Sequence, residues 1–259
     1  MRSSDISLAN RLADAAGAAI RPFFRSSFTH EAKADASPVT EADRAAEAAI
    51  RSILDAECPH DAIIGEEYGE KTGTSGRTWV LDPIDGTVSF MAGRPIFGTL
   101  IALLDNDWPV LGVIDQCISG ERWVGAAGRE TTLNGKVARA RACRSLSDAT
   151  LASTGPQYFG EHDAEHFMAL AAKTAHKRMV WGGDCYNYGL LAAGQIDLVV
   201  EAGLKLHDFA ALVPIIEGSA GIMCDWTGEP LHAKSDGHVI ALGDPARLDD
   251  VLESLACHH

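Results

Sequence analysis

The nine residues Trp79-Val80-Leu81-Asp82-Pro83-Ile84-Asp85-Gly86-Thr87 constrain this chain more than any other stretch. Trp79 to Leu81 is an apolar run of the kind that ends a buried strand. It delivers two carboxylates, Asp82 and Asp85, on either side of a Pro83-Ile84 pair. Proline fixes its own φ and cannot donate to a sheet ladder, so the strand is predicted to stop at Pro83 and turn. Such a turn aims Asp82, the Ile84 carbonyl and Asp85 at one point, where they repel unless a hard cation sits between them. Gly86 permits a tight backbone, and Thr87 adds a hydroxyl beside the cluster. A lone D-P-x-D is more often a solvated turn; the strand ahead of it and further acidic blocks favour an ion site here.

Composition narrows the class. With 259 residues, 46% hydrophobic and 22% charged, the chain reads as a soluble protein able to bury a substantial core. No apolar run approaches the ~20 residues that a membrane span needs. The start, Met1-Arg2-Ser3-Ser4-Asp5, lacks the apolar stretch of a signal peptide, so a cytoplasmic protein is expected. Cys58, Cys117, Cys143, Cys185, Cys224 and Cys257 are scattered without a C-x-x-C pair and read as reduced, mostly buried thiols. A net charge of −14 argues against nucleic acid or an anionic membrane as partner and suits a site that attracts cations.

Apolar spacing predicts an amphipathic helix from Ile6 to Phe24, ending near Pro22, and a second, alanine-rich helix opened by Thr40 with Asp43 in its first turn. Ala62-Ile63-Ile64 is a short strand leading to Gly65-Glu66-Glu67. Ile96–Leu104, Val110–Asp115 and Glu121–Ala126 read as a strand meander, with turns at Asp105-Asn106-Asp107 and Asn134-Gly135. Residues 1–141 therefore read as an α+β half. From residue 142 the pattern alternates: strand 149–154, helix 162–177, strand 179–181, helix 187–193, strand 196–201. A helix around Leu206 to Gly218, a turn and strand through 227–231, strand 239–242 and helix 246–255 complete an α/β half, 142–259. No linker separates the halves, so they are expected to pack rigidly.

Four blocks carry a resemblance: Val39-Thr40 with Asp43, Gly65-Glu66-Glu67, Asp82-Pro83-Ile84-Asp85-Gly86-Thr87, and Asp208 with Ala210. In this order, across nearly the whole chain, they resemble the inositol monophosphatase superfamily of Mg-dependent phosphomonoesterases. Three positions depart from its pattern. Ser37-Pro38 stands in place of the usual Asp-Leu or Asp-Pro, Ser89 replaces an asparagine, and His207 replaces the aromatic of W-D-x-A. Lys33 lies near the family's loop basic residue.

The resemblance implies a layered αβαβα, sugar-phosphatase-like fold. It implies metal ligands Glu66, Asp82, the Ile84 carbonyl, Asp85 and Asp208, with Asp43 bordering the site. That all-oxygen set suits Mg²⁺ and not zinc, and four carboxylates imply two or three ions. Glu66 and Thr87 would polarise the attacking water, and the Gly86 and Thr87 amides would hold phosphate oxygens. Substrate choice falls to Glu201 and to the loop Gly182-Gly183-Asp184-Cys185-Tyr186, which resembles the histidinol-phosphate phosphatase branch. Asp184, Glu201, Tyr186 and Tyr188 suggest a cationic, ring-bearing leaving group, although Asp184 could instead cap a helix and Tyr186 pack in the core. The expected activity is hydrolysis of histidinol phosphate in histidine biosynthesis by a homodimer, with a small phosphate ester as its partner. The alternatives are an inositol-1-phosphate or broad sugar monophosphatase, and a non-catalytic regulatory binding protein on the same scaffold.

Overall fold

Two sheets, each apolar on both faces, organise the chain. The computed structural model describes residues 3–26, 30–32 and 38–256; Ser37, Lys33 and Cys257 to His259 lie outside the described residues. The first part supplies helices α1 (Ser3–Ile20) and α2 (Glu41–Glu57), with a short antiparallel pair, β1 (His30–Ala32) and β2 (Pro38–Thr40), between them in sequence. Next come β3 (Ala62–Gly65), β4 (Gly69–Lys71) and β5 (Arg77–Asp85), followed by helix α3 (Thr87–Met91). Then follow β6 (Gly98–Asp105), β7 (Trp108–Gln116), β8 (Glu121–Ala126), β9 (Thr132–Leu133) and β10 (Lys136–Val137). These form an eight-stranded sheet of order β10-β9-β8-β7-β6-β5-β3-β4, in which only β3 and β5 run parallel.

The second sheet is built from β11 (Leu151–Ser153), β12 (Val180–Trp181), β13 (Leu198–Glu201), β14 (Ile222–Cys224) and β15 (Val239–Leu242), in the order β12-β11-β13-β15-β14. Helices α4 (Glu161–Lys173) and α5 (Asp184–Ala192) flank β12 in sequence. Helices α6 (Leu206–Phe209) and α7 (Leu212–Gly218) follow β13, and α8 (Leu248–Leu255) closes the order.

Strand alternation assigns the layers. Trp79 and Leu81 on β5, with Ile101 and Leu103 on β6, join the core beneath α1 and α2. Val80, Leu100, Ala102 and Leu104 face the opposite way, into a core shared with α5, α7 and the second sheet. On β13 and β15, Val199 and Ala241 enter that shared core, whereas Leu198, Val200, Ile240 and Leu242 face α4 and α8. The stack is αβαβα, as the resemblance implied. The shared core joins the two sheets through Leu191, Ile215 and Ile216 of the middle helices.

Several boundaries differ from the sequence reading. The strand does not stop at Pro83: β5 runs on to Asp85, and its pairing with β6 shifts register between Asp82 and Asp85. Proline is tolerated there because the bulge leaves its missing N–H unneeded. The first helix ends at Ile20, two residues ahead of Pro22, and α4 ends at Lys173. Helix α5 starts at Asp184, three residues earlier than the apolar spacing indicated. The predicted 227–231 strand is only a single bridge, Cys224 to Pro230, and strands β4 and β14 were not anticipated. Among the described residues no helix is long and apolar enough to cross a membrane.

The middle helix α7 sits on the sheet at two paired glycines, Gly112 on β7 and Gly125 on β8. A Cβ at Gly112 would stand 1.8 Å from the Ala211 carbonyl oxygen, and one at Gly125 2.4 Å from the Ile215 Cα. Backbone lies against backbone here, so no rotamer change can make room. Gly112→Ala is expected to destabilise the fold by about 1–3 kcal/mol through overpacking. Urea denaturation checks this; an unchanged midpoint would show that the helix lifts off the sheet freely.

Candidate metal centre and active site

In a regular strand, residues three apart point to opposite faces. The bulge in β5 changes this: Asp82 pairs with Leu100 and Asp85 with Gly98, so three steps on β5 match two on β6. The extra residue brings both carboxylates to one side. The Thr99 hydroxyl fixes the distortion by donating to the Pro83 carbonyl at 2.7 Å. The Thr87 hydroxyl donates to the Ile84 carbonyl at 2.9 Å, so a predicted water-polarising group and a predicted main-chain ligand are in direct contact.

Glu66 follows β3, which lies parallel to β5 with Gly65 opposite Leu81, so Glu66 emerges beside Asp82. Its turn is anchored from below by Glu47 of α2, whose side chain is fully buried. The Glu67 amide donates to Glu47 Oε2 at 2.8 Å and the Tyr68 amide to Oε1 at 3.2 Å, while Arg51 Nε donates to Oε1 at 2.7 Å. A Cβ at Gly65 would lie 1.9 Å from Glu47 Oε1, which is why the strand ends in glycine. Sequence reasoning missed Glu47, because on an alanine-rich helix it looked like one more solvated acid.

The remaining groups come from the second half of the chain. Asp208 is the third residue of α6, and its Oδ2 accepts the Lys205 amide at 2.6 Å, so it also caps that helix. Asp85 Oδ2 accepts the Cys185 amide at the start of α5, at 2.5 Å. One ligand atom each from Asp82, Asp85 and Asp208 lies within 4.8 Å of the others; the same holds for Glu66, Asp82 and His207. The second group sets a nitrogen donor beside the expected oxygen donors. An imidazole stands in the cluster where only a replaced aromatic was read, and its proximity to Glu66 and Asp82, remote in sequence, was invisible in the local pattern.

Burial pushes Asp82 and Asp85 well above the usual carboxylate range. Repulsion adds to this, from Glu66, Asp85, Asp208 and Asp43 on Asp82, and from Asp184 and Asp208 on Asp85. Asp208 is raised mainly by burial, with His207 opposing. Asp43, buried in the first turn of α2, thus reaches the centre as a charge on Asp82. Asp82 Oδ1 is buried with no hydrogen-bond partner. An orphaned carboxylate oxygen among repelling acids is the environment that a divalent cation satisfies, so the donor set fits metal ions.

These groups line one end of a cavity of about 360 Å³. Gly86 and Thr87, which open α3, form its wall beside the cluster. Asp184 does not cap α5 with its side chain. Its Oδ2 accepts the Ser89 hydroxyl at 3.1 Å and would lie 2.6 Å from a Cβ at Gly86. The serine that replaces the family's asparagine is therefore in use. Burial raises the Asp184 carboxyl, with Ser89 and Arg94 opposing. Glu201 is buried in the same wall; its Oε1 accepts the amide and hydroxyl of Thr154, both at 2.8 Å, and burial leaves it pushed up to about 7. Of the two tyrosines, only Tyr188 lines the cavity, with its hydroxyl buried and unpartnered. Tyr186 instead donates to Glu121 at 2.7 Å and packs edge-on against Trp123, so it belongs to the structural frame.

Residues 1–258 match the Inositol monophosphatase family. The chain is 48% identical over 258 residues to the chloroplastic bifunctional phosphatase IMPL2 of Arabidopsis thaliana, covering 96% of this chain and 74% of that protein. It is 35% identical over 238 residues to a histidinol-phosphatase of Chlorobaculum parvum, covering 92% of each. The solved structure of an inositol monophosphatase from Zymomonas mobilis superposes with a TM-score of 0.90 at 51% identity, covering 98% of both chains. The cluster of Glu66, Asp82, Asp85 and Asp208 is thus carried by a chain that belongs to the inositol monophosphatase family, whose members are metal-dependent phosphatases.

Proposed function

We propose that this phosphoric monoester hydrolase acts on histidinol phosphate with Mg²⁺ as its metal. The observation that carries the substrate class is a pair of carboxylates in the cavity wall beyond the metal cluster, the buried Glu201 and the half-buried Asp184. An ester whose alcohol carries an ammonium and an imidazole offers both of them counter-charges, and Tyr158 and Tyr188 line the same space. The histidinol-phosphatase of Chlorobaculum parvum supports this reading by similarity. Inositol 1-phosphate is the second reading, favoured by the likeness to the Zymomonas mobilis structure. A purely regulatory role sits poorly with a ligand set that lacks none of its carboxylates.

In this reading Glu66, Asp82, the Ile84 carbonyl, Asp85 and Asp208 would hold two or three ions. Divalent ions there supply charge neutralisation at the phosphoryl group and activation of water and leaving oxygen. The chain does the rest. Gly86 and Thr87 present amides to the phosphate oxygens. Thr87, donating to Ile84, keeps its oxygen lone pairs for the attacking water, which Glu66 orients from the end of the neighbouring strand β3. Asp43 adds negative charge behind Asp82, and Asp184 with Glu201 fixes the alcohol end.

Two measurements test this reading. After chelation the protein should release no phosphate, and Mg²⁺ should restore turnover with histidinol phosphate preferred over inositol 1-phosphate. In Asp184→Asn, kcat/KM for histidinol phosphate should fall roughly ten- to a hundred-fold relative to that for inositol 1-phosphate, the size of one charge-assisted hydrogen bond. An unchanged ratio, or inositol phosphate as the better substrate of the parent protein, would overturn the histidinol reading.

The buried acids also predict a pH dependence. The folded, metal-free chain keeps protons on Glu201, Asp82, Asp85 and Asp208 that the unfolded chain has released. Its stability is therefore full below the ordinary carboxylate range and is lost as pH rises through about 7, the Glu201 value. Glu201 alone accounts for a loss on the order of 3 kcal/mol. Chelated protein should show a falling denaturation midpoint between acid and neutral pH, and Glu201→Gln should flatten that fall. Equal slopes would remove Glu201 as a source.

A further inference from the structure

His207 is the one histidine among the residues lining the cavity, and it occupies the position where the W-D-x-A pattern carries an aromatic. Its side chain is only 13% exposed. A ring nitrogen of His207 and carboxylate oxygens of Glu66 and Asp82 all lie within 4.8 Å of one another. Its Nε2 also stands 3.5 Å from Asp208 Oδ1. Three ligands of one ion, each at ~2.0–2.2 Å, sit ~3–4 Å from one another, so side-chain rotation of about an ångström brings even the outer limit of that spacing onto a cation. The planar ring keeps the packing role of an aromatic and adds a nitrogen donor.

We infer that His207 is a nitrogen ligand to the ion held by Glu66 and Asp82, which makes this a mixed oxygen–nitrogen centre. The inference rests on the proposed assignment of Glu66 and Asp82 as ligands. Its chemical consequence is selectivity. Imidazole strengthens binding of Zn²⁺ and other later transition ions far more than that of Mg²⁺, which takes oxygen by preference. The centre therefore accepts transition metals at a position where an aromatic side chain offers no donor. The competing role for His207 is that of a simple counter-charge to Asp208, with no bond to metal.

The test uses chelated full-length protein reloaded with Mn²⁺ and read by pulsed electron paramagnetic resonance. The parent protein should show the nitrogen coupling of a directly bound imidazole, and His207→Phe should lose it. The chain-end histidines are the same in both proteins, so the difference reports His207. In the same variant, Zn²⁺ affinity measured against a competing chelator should fall ~10–100-fold, while Mg²⁺ affinity changes by less than ~3-fold. Asp82→Asn separates the two levels of the account. If it leaves Mn²⁺ affinity unchanged, the assignment of the centre itself fails. If it abolishes binding but the parent shows no nitrogen coupling, or His207→Phe keeps its Zn²⁺ affinity, only the role of His207 is overturned.

Discussion

Repulsion among buried carboxylates is the constraint on which the arrangement depends. Asp82 sits 2% exposed beneath Glu66, Asp85 and Asp208, and among the described residues its Oδ1 has no hydrogen-bond partner. A fold optimised for stability alone would not assemble these acids, because burying unpaired charge costs several kcal/mol per group. The cluster holds together because each member is fastened by backbone amides or a bulge that would form with or without an ion. The Cys185 amide holds Asp85, the Lys205 amide holds Asp208, and the register shift in β5 turns Asp82 towards both. These backbone contacts fix the ligand positions, which lowers the cost of ordering them around an ion.

The layered architecture makes that preparation possible. Glu66 and Asp82 leave neighbouring parallel strands, the one parallel pairing in the first sheet, so both emerge at the same end. Helices α5 and α7 of the middle layer pack on that sheet as well as under the second one, bringing Asp184 of α5, and Asp208 of α6 just ahead of α7, to the same point. Gly112 and Gly125 set the depth of that contact, since the Ala211 and Pro214-Ile215 backbone rests directly on them. Glu47 sets the height of the Glu66 turn from the opposite layer. Elements from three layers therefore converge on one centre, and each is located by backbone contacts.

Much of this was legible in the chain. The run from Trp79 to Thr87 announced both the buried strand and the acidic centre, because a tryptophan-led apolar segment ending in two aspartates has few other uses. The alternation of helices and strands after residue 142 showed the second sheet, and both Asn-containing turns were readable from φ > 0 chemistry; Asn106 and Asn134 do adopt positive φ. What stayed hidden involved contacts across the fold. Pro83 suggested a stop because local rules cannot see that β6 accommodates a bulge. Glu47, His207 and the division of labour between Tyr186 and Tyr188 depend on partners far away in sequence, which spacing along a helix does not report.

The central claim is that the site is an acid cluster held partly protonated until divalent ions displace its protons. Calorimetric titration of the chelated protein with Mg²⁺ near pH 6, repeated in buffers of differing protonation enthalpy, measures that displacement directly. The account predicts saturable binding accompanied by net proton release, and less release as the pH is raised. Binding with no proton release at pH 6, or no binding at all, would contradict it.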